Sequence, residues 1–213
     1  IDTGLYQNKE DILNSPRRLG STQTKLGDIG YTDVNGDGKI DGEDQVRIGK
    51  PTMPHFTYAF DFSLGYEGFT LSGLLYGTGE RYMTFGNRYQ SGEGKYLYYE
   101  NQLNYWRPDN TGADFPRISI SSGVNGNNNK AGSTFWMRNA SYLRLKDLQL
   151  SYDFKYKYLK KCDWLQTCRV NLSGSNLFTI SGVSKFFDPE TSSTSGDGYP
   201  VQRVYSIGVT IGF

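Results

Sequence analysis

The sequence predicts an all-β fold whose antiparallel strands form part of a transmembrane β-barrel. Composition is the first reason, because the chain has 26 Gly and 15% aromatic residues but only 36% hydrophobic residues. This balance favours strands and turns over membrane-spanning helices. The second reason is a set of alternating segments about as long as the ~9–11 residues that a strand needs to cross a bilayer. The third is that short and long connections alternate along the chain, which is typical of outer-membrane barrels.

Five segments alternate with a period of two, and each is predicted to be a strand. They span residues 56–66, 69–76, 141–153, 169–178 and 203–213. In the first segment, an aromatic residue or leucine occupies every second position from Phe56 to Tyr66, with small or polar residues between them. In the third segment the alternation changes phase, which predicts a β-bulge near Lys146 and Asp147.

The connections divide between the two ends of the predicted sheet. Glu67-Gly68 and the basic stretch between the third and fourth strands are the short ones, whereas residues 77–140 and 181–202 are long, Gly-rich loops. Five strands cannot close a barrel, which needs about eight, and an open sheet with an aromatic face would aggregate. The chain also begins at Ile1 without Met or a secretory leader. We therefore expect residues 1–213 to be one segment of a longer barrel protein.

Several functions are excluded by composition and charge. The 23 Lys+Arg balance 22 Asp+Glu, so no basic surface for nucleic acid is expected. His55 is the single histidine, which argues against histidine-based triads and multi-histidine metal sites. Asp188 and Glu190 are paired carboxylates that could in principle work as a glycosidase pair, but nothing in the sequence marks an acid with a raised pKa. The sequence predicts no enzyme.

Residues 33–44 match the calcium-binding loop pattern. The predicted ligands, at loop positions 1, 3, 5, 7, 9 and 12, are Asp33, Asn35, Asp37, the Lys39 carbonyl, Asp41 and Asp44. Asp44 is shorter than the usual Glu, which predicts a weaker site, and no flanking helix pair is present. A structural Ca²⁺ clip within residues 27–50 is one interpretation. A Gly/Asp/Asn turn without an ion is the other.

The 77–140 loop concentrates aromatic and arginine residues. Those predicted to contact a ligand or a covering partner protein are Tyr98, Tyr99, Tyr105, Trp106 and Arg107. Aromatic faces stack on sugar rings, and Arg donates to hydroxyls and carboxylates. The alternative is a small hydrophobic core within the loop or a protein interface, which has the same composition.

Seven sequence motifs, in order, carry a resemblance to a known family. They are Gly27–Asp41, Ile48–Pro51, Phe56–Phe60, Phe135–Lys146, Ser173–Phe178, Phe187–Glu190 and Tyr199-Pro200, and the terminal Phe213 follows them. Together they resemble the C-terminal portion of SusC/RagA-type TonB-dependent outer-membrane transporters, over roughly residues 5 to 213.

The resemblance implies a barrel of about 22 strands in the outer membrane of a Gram-negative bacterium. It implies a plug domain, energy coupling through TonB, a SusD-like surface lipoprotein as a lid, and import of oligosaccharides or peptides. The plug and the TonB-contacting region have no counterpart in these residues, and the calcium-type loop would be extracellular. Cys162 and Cys168 would lie on the periplasmic side, where they could form a disulfide. A redox or metal pair is less consistent with their spacing.

A protein of a different class remains as the alternative. Soluble β-sandwich strands also alternate, and a secreted carbohydrate-binding β-sandwich with a structural calcium site would share much of this composition. Its aromatic residues would be buried between two sheets rather than facing lipid.

Overall fold

A computed structural model describes residues 1–21, 23–86, 89–90, 98–118, 127–191, 194 and 198–213. Eleven strands lie in these ranges, in the order β1 (Asp2–Leu5), β2 (Arg17–Arg18), β3 (Ile29–Tyr31), β4 (Lys39–Ile40), β5 (Thr57–Tyr66), β6 (Phe69–Thr78), β7 (Tyr82–Thr84), β8 (Met137–Asn139), β9 (Tyr142–Asp153), β10 (Thr167–Ser181) and β11 (Val204–Gly212). One short α-helix, α1 (Lys9–Asn14), begins after Asn8, whose side chain accepts a hydrogen bond from the Asp11 N–H. Short 3₁₀ turns cover Gly42–Asp44, Glu100–Leu103, Asn128–Lys130 and Thr134–Trp136.

The long strands form one five-stranded antiparallel sheet, in the order β5, β6, β9, β10 and β11. Each long strand pairs with the next long strand along the chain, as in a meander. These strands coincide with the five predicted segments, and β10 extends three residues beyond its predicted end at Phe178. Strand β5 lies at one edge of the sheet and β11 at the other. The fold is therefore dominated by strands, as the sequence predicts.

The predicted β-bulge is confirmed. Leu74 pairs with Asp147 and Leu75 with Leu145, so Lys146 is the extra residue of β9. A second shift, which the sequence did not reveal, lies between Ser175 and Phe178 of β10. These irregularities keep the leucines of β9 on one face although their parity changes along the strand.

All long connections leave the same end of the sheet. The described residues before β5, between β6 and β9, and between β10 and β11 gather there with the shorter strands, and we call this assembly the loop layer. The opposite end, which we call the turn end, carries the Glu67-Gly68 turn and the connector of residues 154–166. The described part of the chain contains no helix with the length and apolar character needed to cross a membrane.

Candidate functional site

The five-stranded sheet has one apolar and one polar face. Residues paired across antiparallel strands project to the same side, so the register defines both faces. The apolar face carries Tyr58, Phe60, Phe62, Leu64, Tyr66, Phe69, Leu71, Leu75, Leu143, Leu145, Leu148, Leu150, Tyr152, Val170, Leu172, Phe178, Ile180, Tyr205, Ile207, Val209 and Ile211. Much of it is uncovered, since Phe60 is 61% and Ile207 is 75% exposed.

The small residues on the apolar face of β6 make room for aromatic rings of β5. A side chain at Gly73 would meet the ring of Phe62, and one at Gly77 would meet Tyr58 and the backbone carbonyl of Tyr142. The Tyr58 hydroxyl crosses above Gly77 and donates to that carbonyl at 3.3 Å. The rings therefore lie flat along the apolar face.

The main hydrophobic core lies in the loop layer. Its buried members are Ile29, Tyr31, Ile40, Met83, Phe85, Tyr89, Phe115, Trp136, Ala140, Val183 and Phe187. Phe85 is central, with ring centroids 4.8 Å from both Tyr89 and Phe186. Among the described residues, this cluster includes none from the five-stranded sheet. The chain thus packs its loops and leaves the apolar face of its sheet open, the reverse of a soluble sandwich.

Two asparagines hold β3 in place within the loop layer. The buried Asp28 carboxylate is 2.7 Å from the Arg117 Nε and accepts a hydrogen bond from the Asn129 side chain at 3.0 Å. Asn129 also accepts from the Ile29 N–H, and Asn128 donates to the Ile29 carbonyl. The sequence suggested only a polar loop here, because these contacts join residues about a hundred positions apart.

A buried arginine joins the loop layer to the polar face of the sheet. Arg144 in β9 is 1% exposed, and its guanidinium is 2.6 Å from Asp188 and 2.9 Å from Glu190. The Tyr142 hydroxyl donates to Glu190 at 2.6 Å, and the Lys146 ammonium is 2.9 Å from it. We call these five residues the clamp.

The clamp keeps the Glu190 carboxylate in its charged form. Burial by itself would raise the pKa of Glu190, but hydrogen bonds from Lys146 and Tyr142 and the charge of Arg144 outweigh burial and lower it. A carboxylate held in its charged form suits an ion pair and not a general acid. Asp188 and Glu190, the paired carboxylates of the sequence analysis, are therefore explained by their ion pairs with Arg144.

The calcium-type loop is closed by its own backbone hydrogen bonds. Asp33 accepts from the Gly36 and Gly38 N–H groups, and Asp37 accepts from Lys39. The other three predicted side-chain ligands, Asn35, Asp41 and Asp44, each accept from a backbone N–H as well. Hydrogen bonds from the Asp41 and Val34 backbone lower the pKa of the Asp44 carboxyl.

These contacts leave the calcium assignment a prediction. Within the described residues, no group of three or more His, Cys, Asp or Glu side chains is arranged to hold a metal ion. Calcium loops of this pattern also use Asn side chains and backbone carbonyl oxygens, which are not among those four residue types. Ile40, at loop position 8, is buried in the loop layer.

The five aromatic-loop candidates occupy different environments. Trp106 is buried, and its indole N–H donates to the Gln7 side chain at 2.9 Å. Gly27 has φ +79°, and its missing side chain leaves room for the Trp106 ring. Tyr99 packs on Tyr89 with a centroid distance of 5.0 Å. These contacts favour the loop-core interpretation for Trp106 and Tyr99.

Of the other three candidates, Tyr98 and Arg107 are exposed, whereas Tyr105 is half-buried and packs against the loop-layer core. The Arg107 guanidinium lies over the Tyr105 ring, 5.1 Å from its centroid, and is 3.4 Å from Asp109. A ligand or covering protein could therefore reach Tyr98, Tyr105 and Arg107, and their proposed role stays a prediction.

Both cysteines are free thiols in the structure. Cys168 lies on the apolar face of β10 opposite Ile211, and Cys162 belongs to the connector at the turn end. The possible disulfide between them stays a hypothesis. His55 precedes β5 and contacts Glu80 at 3.1 Å at the exposed base of the loop layer.

Comparisons with known proteins agree with this architecture. The chain is 26% identical to TonB-dependent receptor P26 of Formosa agariphila, over 99% of this chain and 22% of the receptor. It is 27% identical to TonB-dependent receptor P3 of the same organism, over 86% of this chain and 19% of the receptor. The chain thus spans about a fifth of the length of these curated relatives. No protein-family model matches it.

Solved structures show the same fold. The RagAB peptide importer in its open-open state aligns with a TM-score of 0.65 and 24% identity, over 100% of this chain and 22% of that chain. A second structure of the RagAB peptide transporter gives a TM-score of 0.63 and 26% identity, over 91% of this chain and 22% of that chain. The relatives are named as receptors and importers, not as enzymes.

Proposed function

Because the chain resembles a part of SusC/RagA-type TonB-dependent outer-membrane transporters, we propose that it forms one portion of a transporter's barrel wall and extracellular loops. The observation that carries the proposal is the open apolar face of the sheet, beside a loop layer with its own packed core. Lipid would cover the apolar face, the polar face would line the lumen, and the loop layer would lie at the extracellular mouth of the barrel.

The remainder of the proposed transporter follows from the edges of the sheet. Within the described residues, strands β5 and β11 each have an edge that pairs with no other strand, and a long apolar edge of this kind aggregates unless further strands pair with it or cover it. The family resemblance implies that these further strands complete a barrel of about 22, filled by a plug that contacts TonB. The protein would reside in the outer membrane of a Gram-negative bacterium.

A lipoprotein lid and a large nutrient complete the proposal. The similar solved structures are named a peptide importer, which supports a peptide substrate, and oligosaccharides remain the other candidate class. A SusD-like surface lipoprotein would cover the loop layer, with Tyr98, Tyr105 and Arg107 as candidate contacts. The alternative, a secreted carbohydrate-binding β-sandwich with a calcium site, would need a second sheet over the apolar face.

The proposal predicts how the natural polypeptide fractionates. Tagged at its natural locus, it should be found in the outer membrane, require detergent for extraction and run as a heat-modifiable band on a gel. A surface lipoprotein should copurify in a comparable amount. Recovery from the soluble fraction as a monomer that refolds without detergent would contradict the proposal and favour the sandwich.

We also propose that residues 33–44 bind a structural Ca²⁺. Adding millimolar Ca²⁺ to the purified transporter should slow protease cleavage within residues 27–50, because the ion would join oxygens from both ends of the loop. The Asp33→Ala/Asp37→Ala variant should lose this protection. The control is Asp163→Ala, at an exposed position of the turn end, and this variant should keep the Ca²⁺-dependent protection. Cleavage that does not respond to Ca²⁺ in the native protein would remove the site.

A further inference from the structure

A row of aromatic side chains runs along the turn end of the sheet. Tyr66, Phe69 and Tyr152 lie side by side across β5, β6 and β9, and the rings of Phe69 and Tyr152 are 4.4 Å apart. At the far edge, Trp164 stacks on Phe213 with a centroid distance of 5.7 Å and an interplanar angle of 14°. Both Trp164 and Phe213 are strongly exposed. Aromatic residues with this placement are typical of a membrane–water interface.

Lysines lie immediately beyond this row. The connector of residues 154–166 contains four lysines and one carboxylate, Asp163. Lys155 is committed to the fold, because its ammonium donates to the carbonyls of Cys162 and Leu165 at 2.6 Å each. The lysines that remain exposed are Lys157, Lys160 and Lys161.

The connector also contains an open cleft. Lys157, Lys160 and the half-buried Lys155 line it together with Tyr156, Glu67 and Asp153. Asp153 accepts from the Lys155 N–H and lies 3.8 Å from Arg169, so part of its charge is already compensated. Lysine therefore predominates on the surface that extends past the aromatic row.

We propose that the connector is an interfacial anchor that binds anionic phospholipid headgroups of the leaflet at the turn end. The aromatic row would lie at the boundary of the hydrocarbon, and Lys157, Lys160 and Lys161 would contact headgroup phosphates one layer further out. Charge complementarity selects this occupant, because an ammonium group near an anionic lipid surface strengthens binding by roughly fivefold. The inference rests on the proposed barrel function, which places this end of the sheet at a membrane surface.

Phosphatidylglycerol binding to the purified full-length transporter tests the anchor. The protein is titrated in detergent with phosphatidylglycerol or phosphatidylcholine, and native mass spectrometry counts the bound lipids. The native protein should prefer phosphatidylglycerol, and Lys157→Glu/Lys160→Glu/Lys161→Glu should bind it at least tenfold more weakly. The matched control, Lys9→Glu/Lys25→Glu/Lys185→Glu, makes the same charge change in the loop layer and should leave binding unchanged.

Each outcome decides the inference. Equal affinity for the two lipids in the native protein, unchanged binding by the connector variant, or an equal loss in both variants would overturn it. If charge reversal prevents folding, Lys157→Gln/Lys160→Gln/Lys161→Gln gives a second measurement. Heat-modifiable migration on a gel verifies that each variant is folded. If the native protein forms a barrel but shows no lipid preference, the anchor alone fails. If it forms no barrel, the proposed function fails first.

Discussion

Replacing Arg144 with methionine should release residues 183–190 from the polar face of the sheet. The change leaves Asp188 and Glu190, both largely buried, without their shared cation. Breaking a buried ion pair from one side costs about 3–5 kcal/mol. We expect hydrogen exchange in residues 183–190 to accelerate by the factor that corresponds to this loss of free energy, while exchange in β5 and β6 stays slow.

Arg169→Met is the matched control for this prediction. Arg169 lies on the same face but is half exposed and 3.8 Å from Asp153, and such surface pairs contribute about 0–1 kcal/mol. Exchange in residues 183–190 should therefore be unaffected in this variant. Equal protection of the segment in native and Arg144→Met proteins would show that the clamp does not hold the loop layer.

The clamp should also respond to pH in a defined direction. The pKa of Glu190 is lowered in the folded protein, so its contribution to stability is fully present above the ordinary glutamate value of about 4.3. It is lost as the pH falls through the lowered pKa. Protection of residues 183–190 should thus decline in acid in the native protein, and decline less in Arg144→Met.

Replacing Phe60 with lysine should strongly destabilise the barrel. Phe60 lies mid-strand on the apolar face and is 61% exposed in the isolated segment. On the proposed function its ring contacts the hydrocarbon, where a lysine near the bilayer midplane costs about 2–4 kcal/mol. Denaturant unfolding of the full transporter in lipid vesicles measures the loss as a lower midpoint.

Ser63→Lys introduces the same side chain on the polar face of the same strand. Ser63 pairs with Ser72, so the lysine would enter the lumen and cost little. Equal destabilisation by the two substitutions would contradict the assignment of the faces.

The sheet could be predicted because its information is local. Eleven alternating residues from Phe56 to Tyr66 determine both a strand and its faces. The phase change near Lys146 revealed the bulge for the same reason, since it appears within one segment. The ends of the strands were harder to predict than their centres. Strand β10 continues past Phe178 because its last residues pair with the start of β9.

The contacts that hold the loop layer could not be predicted in this way. Arg144 occupies an ordinary polar position of an alternating strand, and its partners Asp188 and Glu190 are more than forty residues away. Asp28 and Asn129 are separated by about a hundred residues. The sequence carries no signal for this pairing, because a charged side chain is ordinary on the polar face of a strand proposed to line a barrel lumen.

Lipid accessibility along β5 tests the central claim most directly. Single cysteines at residues 57–66 of the full transporter, with Cys162 and Cys168 replaced by serine, are spin-labelled and reconstituted in bilayers. Collision rates with oxygen, which concentrates in hydrocarbon, and with a water-soluble nickel chelate are then compared. We expect high oxygen accessibility at even-numbered positions and low accessibility at odd-numbered ones. Even-numbered positions that are shielded from both reagents would show the aromatic rings packed inside protein and would contradict a lipid-facing wall.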